Sequence, residues 1–225
     1  MRASLTFCLM ALLLVAACSD DDGVGPQESG LTIEQFPIEV GDWWRYEVID
    51  TMFSLSGEPE ATIDTVLVQA AETLYVDCAE ADCPGVYIRY LFDDGESQWF
   101  ALVVANVDTL TMEQIRDLGT TALPWPGIRW HFPLEVGKTW LGNASSVSVV
   151  RRQQMVLPAT DIVDSYLLHQ EWEIPNEGGQ SDVWVAPKVG IVRQHFSHYC
   201  TVCSFWSYNS TWQLIDWFGR YPPLD

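Results

Sequence analysis

Phe36-Pro37-Ile38-Glu39-Val40-Gly41-Asp42-Trp43-Trp44 returns 96 residues later as Phe132-Pro133-Leu134-Glu135-Val136-Gly137-Lys138-Thr139-Trp140. Six of the nine positions are identical and a seventh is an Ile/Leu exchange, a match too long to credit to chance. Proline fixes an extended approach and glycine permits a tight turn. The tryptophan that closes each copy is placed to plug a core at the start of a strand. The repeat implies either two similar β halves packed into one domain or one turn device used twice.

Working outward, most of the chain reads as strand. Residues 43–50, 61–69, 74–76, 86–92 and 98–105 are short runs rich in β-branched and aromatic side chains. So are 146–157, 163–174, 182–186, 191–199 and 205–217. Asp93-Asp94-Gly95-Glu96 separates two runs as a hairpin turn, which glycine makes without steric cost. Pro-Asn-Glu-Gly-Gly (175–179) and Pro-Lys-Val-Gly (187–190) supply further turns. Thr111 as N-cap and Gly119 beyond the end predict a short helix over 112–118. Residues 123–133 hold three prolines and read as a linker or crossover. The expected fold is mainly β: an antiparallel curved sheet, half-barrel or sandwich, with two similar halves and one short helix.

The N-terminus carries an address. Met1-Arg2 precedes an uncharged run, 5–17, of 13 residues. That is too short to span a hydrocarbon core of ~30 Å as a helix, and it has the length of a signal-peptide apolar region. It ends Val15-Ala16-Ala17-Cys18, which resembles the bacterial lipobox. The resemblance implies cleavage after Ala17, lipidation of Cys18 and stable anchoring by two or more acyl chains. Residues 19–30 are acidic and nearly free of apolar side chains, so they read as a flexible tether. Ser19 stands where the inner-membrane retention signal of proteobacteria has Asp, which favours the outer membrane. Asp20-Asp21-Asp22 is similar to the surface-export signals of some Bacteroidetes lipoproteins. The expected organisation is a signal peptide (1–17), an acidic tether (18–30) and one β-rich domain (31–225), with possible halves 31–122 and 123–225.

A net charge of −20 disfavours nucleic acid as a partner. The membrane, reached through the lipid anchor, is the one partner the sequence names. Of six cysteines, Cys8 leaves with the signal and Cys18 is lipidated. The remaining four form close pairs, Cys78 with Cys83 and Cys200 with Cys203. An envelope compartment permits disulfides, and two local bridges are the favoured reading. A four-cysteine zinc site is the alternative, since the spacings tolerate tetrahedral thiolate ligation.

The repeated FP-x-E-VG-x-x-W element, Met-Val-Leu-Pro-Ala-Thr at 155–160, Val-Trp-Val-Ala-Pro-Lys-Val-Gly-Ile-Val-Arg at 183–193 and Trp-Gln-Leu-Ile-Asp-Trp at 212–217 together resemble a group of uncharacterised bacterial envelope lipoproteins. The resemblance covers most of 36–217. It implies a β-sheet envelope lipoprotein, similar in its curved sheet to lipoprotein-localization factors, and it brings no catalytic residues. The chain departs from the pattern at Thr160 and Lys188, where glycine is usual, and in its cysteine pairs.

No nucleophile elbow, P-loop, dinucleotide fingerprint or zinc-protease motif is present. His195, His198, Cys200 and Cys203 are the one cluster of possible metal ligands, but on a strand His198 and Cys200 share a face that His195 does not. Eleven tryptophans are more than usual and read chiefly as core, with Trp125 and Trp130 the best candidates for exposure. The expected function is therefore a non-enzymatic binding or structural role without a cofactor. A carrier of a lipid or other apolar ligand and a hydrolase of envelope glycans or peptides are the alternatives. Cys18→Ala should move the protein out of the membrane fraction; membrane association equal to wild type would contradict the anchor.

Overall fold

The computed structural model describes residues 30–219 apart from 55–56, 79–80, 94–97, 116–127, 143–144, 158–160, 201 and 203–204. The strands are β1 (Asp42–Ser54), β2 (Glu60–Cys78), β3 (Ala81–Phe92), β4 (Gln98–Ala105), β5 (Thr109–Ile115) and β6 (Ile128–His131). They continue with β7 (Thr139–Gly142), β8 (Ser145–Val156), β9 (Ile162–Ile174), β10 (Glu177–Ala186), β11 (Gly190–Cys200) and β12 (Phe205–Gly219). All lie in one antiparallel sheet of order β6-β5-β4-β3-β2-β1-β12-β11-β10-β9-β8-β7, curved into a nearly closed barrel with essentially no helix among the described residues. The expected mainly β, antiparallel architecture is the one observed.

The two copies of the motif each head a run of six strands. In each, glycine takes a positive φ, 100° at Gly41 and 88° at Gly137. The Asp42 N–H donates to the Glu39 carbonyl at 2.9 Å and the Lys138 N–H to the Glu135 carbonyl at 3.0 Å. This is the pattern of a type II turn, whose third residue needs φ above zero. Each glycine N–H then reaches the next strand: Gly41 donates to the Ala70 carbonyl and Gly137 to the Val149 carbonyl, both at 2.8 Å. One residue later the ladder slips in both runs, between Ala70 and Glu72 in β2 and between Val149 and Arg151 in β8. Opposite these bulges stand Ile88 and Leu168, both buried. Turn, bond and bulge thus recur together, and the runs divide between β6 and β7.

The runs meet at two seams. At one, β1 and β12 pair along their whole length, from Asp42↔Gly219 to Ser54↔Phe205. At the other, the four-residue edges β6 and β7 touch without forming a ladder. Trp140, the last residue of the second motif, crosses that seam. Its Nε1–H donates to the Arg129 carbonyl at 2.7 Å, and its ring meets His131 edge-on at 5.7 Å.

The core sits at the motif end. Trp44, Tyr46 and Val48 of β1 alternate inward and meet Val66, Val68, Ile88, Leu168, Val192 and Leu214. Leu31, Phe36, Phe132 and Leu134, from the segments before β1 and β7, close this end. Leu31 and Leu134 exchange backbone bonds of 3.2 and 2.8 Å. Phe36 packs edge-on against Trp130 at 5.7 Å and Phe132 at 6.3 Å. The polar tips of these β1 aromatics are satisfied, as burial requires: Trp44 Nε1–H donates to the Val189 carbonyl at 2.6 Å and the Tyr46 hydroxyl to the Ile191 carbonyl at 2.7 Å. Burial pushes the Tyr46 phenol up and raises that of Tyr90 to about 12. Farther from the motifs the inward row takes in polar side chains, Asp50, Ser210, Ser181 and Gln170, around Phe196.

Several expectations are corrected. Residues 112–115 are strand and not helix: Thr109–Ile115 is β5, paired to β4 and β6, with Leu110 fully buried and Met112 packed on the core, while 116–118 lie outside the described residues. Two ladders outweigh a local capping signal. The helical element observed is a 3-10 turn, Ile33–Gln35, with a capping box from Thr32. The proline-rich linker contains β6, and Trp130 is 1% exposed rather than a surface residue. The runs 61–69 and 74–76 are one strand interrupted by the bulge. Lys188, at a position where the resembling lipoproteins have glycine, has φ 63°.

Left-handed backbone costs roughly 1–2 kcal/mol for a residue with a Cβ. Gly137→Ala, with open space around the added methyl, should therefore lose about that much stability in urea unfolding, whereas Lys188→Gly should gain up to about 1 kcal/mol. Equal signs for the two would contradict the turn assignment.

Candidate functional site

The register of β7–β11 sets three cross-strand rows side by side. Leu141, Ser146, Glu171, Gln180 and Ser197 make an outward row. Gly142, Ser145, Trp172 and Gly179 make the inward row beside it, and Glu173, Gly178 and Tyr199 the next outward one. The side-chain period of two explains the alternation, with Trp172 buried between exposed Glu171 and Glu173.

Residues of the inward as well as the outward rows line a groove of about 680 Å³. Its shape depends on the glycines. A Cβ at Gly178 would strike the Tyr199 phenol, and one at Gly179 would strike the Trp172 ring and the Ser197 carbonyl. Consecutive glycines thus let an aromatic side chain close over the backbone on each face. Trp172 is held from within by stacking on Phe196, 5.2 Å between centroids at 23°, and Phe196 meets Tyr208 edge-on at 6.1 Å. Burial first, and neighbouring Asp50 second, push the Tyr208 phenol up. Sequence alone assigns 175–179 to a turn; the turn is shorter, and Gly178 and Gly179 belong to β10.

Beside the groove, His169 binds Asp182 through Nδ1 at 2.7 Å and Glu171 through Nε2 at 3.1 Å. Ser148 lies across from His169 in the ladder, so the strands bring Ser, His and Asp into one row. The row is not a nucleophilic triad, because Nε2, the nitrogen that would activate the serine, is held by Glu171. Partial burial works against a charge on His169, but the hydrogen bonds and charges of Asp182 and Glu171 outweigh it and raise its pKa.

The residues singled out from sequence fall elsewhere. Cys18 lies outside the described residues, as do Trp125 and the side chains of Cys78, Cys83 and Cys203. Cys200, at the end of β11, is buried and disulfide-bonded. His195 turns outward, its Nδ1 3.1 Å from the Thr211 hydroxyl, and His198 turns inward, its Nε2 3.6 Å from Glu177. Among the described residues, no group of three His, Cys, Asp or Glu side chains is arranged to hold a metal ion. The groove itself has no signature in the sequence. His169 and Glu171 sit two apart on one strand and are legible as neighbours, but Asp182 joins them only through the β9–β10 register.

No protein-family model and no curated protein matches the chain. Three solved structures are similar over most of its length. A protein classed as exported, with a YmcC-like fold, from Bacteroides fragilis is 14% identical, with a TM-score of 0.36 over 84% of this chain and 100% of that one. A protein classed as a lipoprotein from Parabacteroides distasonis is 12% identical, with a TM-score of 0.37 over 85% and 100%. A DUF1329 family protein from Desulfovibrio piger is 10% identical, with a TM-score of 0.22 over 83% and 88%.

A raised histidine pKa fixes a sign. The His169 contribution is complete below the ring's ordinary value of about 6.5 and fades as pH rises through the higher folded-state value. His169→Gln should therefore cost more stability at about pH 5.5 than at about pH 9. A loss that grows with pH would contradict the ion pair.

Proposed function

We propose that the protein is a lipid-anchored module of the cell envelope that binds a polar ligand, of the size of a short oligosaccharide, without transforming it. The observation that carries this reading is the groove over β7–β11. Ser146, Gln180 and Ser197 of the outward row offer hydrogen bonds and the half-exposed Tyr199 offers ring surface, with Ser145 and Trp172 buried behind them. Pockets that fix a ligand with a few polar groups beside aromatic surface are a common binding design.

The alternatives fit less well. An acyl-chain carrier needs an apolar cavity, whereas the apolar interior is a packed core drawn from both runs of strands. A glycan hydrolase needs two carboxyl groups facing a bond across a gap of ~5–9 Å. Of the two glutamates that line the groove, Glu171 is committed to His169 together with Asp182, which leaves Glu173 without a second free carboxyl facing it in the described lining.

A glycan array probed with the purified protein, followed by tryptophan-fluorescence titration of any hit, tests the proposal. Saturable binding that weakens at least tenfold in both Gln180→Ala and Tyr199→Ala, with the oligosaccharide recovered intact, is expected. Cleaved product would overturn the non-enzymatic reading. Lipid recovered by organic extraction of the protein, with no glycan bound, would favour the carrier instead.

A further inference from the structure

The barrel end that carries the motifs also carries a set of apolar side chains facing water. Val40 and Val136 are the second residues of the two equivalent turns and are 50% and 58% exposed. Val107, at the β4–β5 turn, is 92% exposed, and Asp108 beside it accepts from the Phe132 N–H. On the β8–β9 hairpin, Val156 and Ile162 pair across the strands and are both about two-thirds exposed. The opposite face of that hairpin is spent on the interior: Leu157 is buried, and Met155 and Val163 pack on the core. The hairpin therefore covers the core with one side and turns Val156 and Ile162 away from it.

The chain reaches the barrel at this same end. Leu31 bridges to Leu134, two residues before the second turn valine and three before Gly137, which bonds Val149 at the base of the β8–β9 hairpin. The 13 residues of 18–30 separate the proposed lipid on Cys18 from that point, an end-to-end distance of roughly 20 Å for a coil. A lipid on Cys18 would bring this end nearer the bilayer than the Met52 and Ile174 end.

We infer that the motif end of the barrel is a membrane-contact face, on which Val40, Val136, Val156 and Ile162 rest in the headgroup layer of the bilayer that holds the anchor. The inference rests on the lipid-anchor reading. Each side chain would exchange water for the apolar boundary of the bilayer at little cost, because the tether has already met the cost of bringing the surfaces together. The exposed aliphatic side chains alternate with exposed Glu39, Asp108, Glu135 and Asp161, so the face is not basic and contact should not depend on anionic lipid.

The test uses full-length, acylated protein in phosphatidylcholine vesicles containing brominated lipid. An environment-sensitive fluorescent amino acid is placed at Val136 or Val156, and at Met52 or Ile174 for comparison. Several-fold stronger quenching at the first pair, reduced to the level of the second by Ile162→Asp and Val40→Asp while the protein stays on the vesicles, is expected. Vesicle-bound protein with equal quenching at both ends would overturn the contact face and leave the anchor standing. Unlipidated Cys18 by mass spectrometry, with no vesicle association, would overturn the anchor reading and the inference with it. Quenching that appears only when a second envelope protein is present would assign the face to a protein and likewise overturn it.

Discussion

The pairing of the first strand with the last organises this molecule. β1 and β12 exchange bonds over 13 residues of β1, joining the two six-stranded runs into one sheet. Without that ladder each run would expose a long central edge, and open edges of that kind invite aggregation. With it, the free edges are β6 and β7, four residues each, and their seam is bridged by Trp140. Short edge strands and a side chain across the seam are recognised ways of blunting an edge. The ladder also joins parts of the chain far apart in sequence, a topology that slows folding.

The motif serves this organisation twice. Its glycine turns the chain and donates to the neighbouring strand, and its final tryptophan donates its indole N–H to a carbonyl of another element, Val189 in one copy and Arg129 in the other. The copies differ where they meet different partners. Trp44 lies within a full ladder, whereas Trp140 stands in place of one. The Phe132–Pro133 bond is cis. The same architecture separates tasks along the barrel. Aromatic and aliphatic side chains fill the motif end, Ser210, Ser181 and Gln170 join Phe196 and Trp172 in the inward rows farther on, and the groove lies there, where glycines thin the wall.

Much of the fold is legible in the sequence, for identifiable reasons. Alternation exposes most strands, since Tyr46 and Val48 face the core while Arg45, Glu47 and Ile49 between and beside them do not. The repeat exposes the turn and its use in two places. What stays hidden depends on partners distant in sequence. Thr111 and Gly119 carry a local helix signal that the β4 and β6 ladders override. Gly178 and Gly179 look like turn residues until Trp172 and Tyr199 are placed across from them. Trp130 looks exposed among prolines because nothing local reveals Phe36 against its ring. The bulges at Ala71 and Val150 carry no composition of their own. The groove is hidden for the same reason, because it is a product of register across five strands.

Backbone hydrogen exchange, read strand by strand, tests the central claim most directly. If the β1–β12 ladder joins the two runs and β6–β7 is an unpaired seam, amides of 44–50 and 209–216 should be among the last to exchange, and those of β6 and β7 among the first of any strand. Protection at β6 and β7 equal to or greater than that at β1 and β12 would contradict the account.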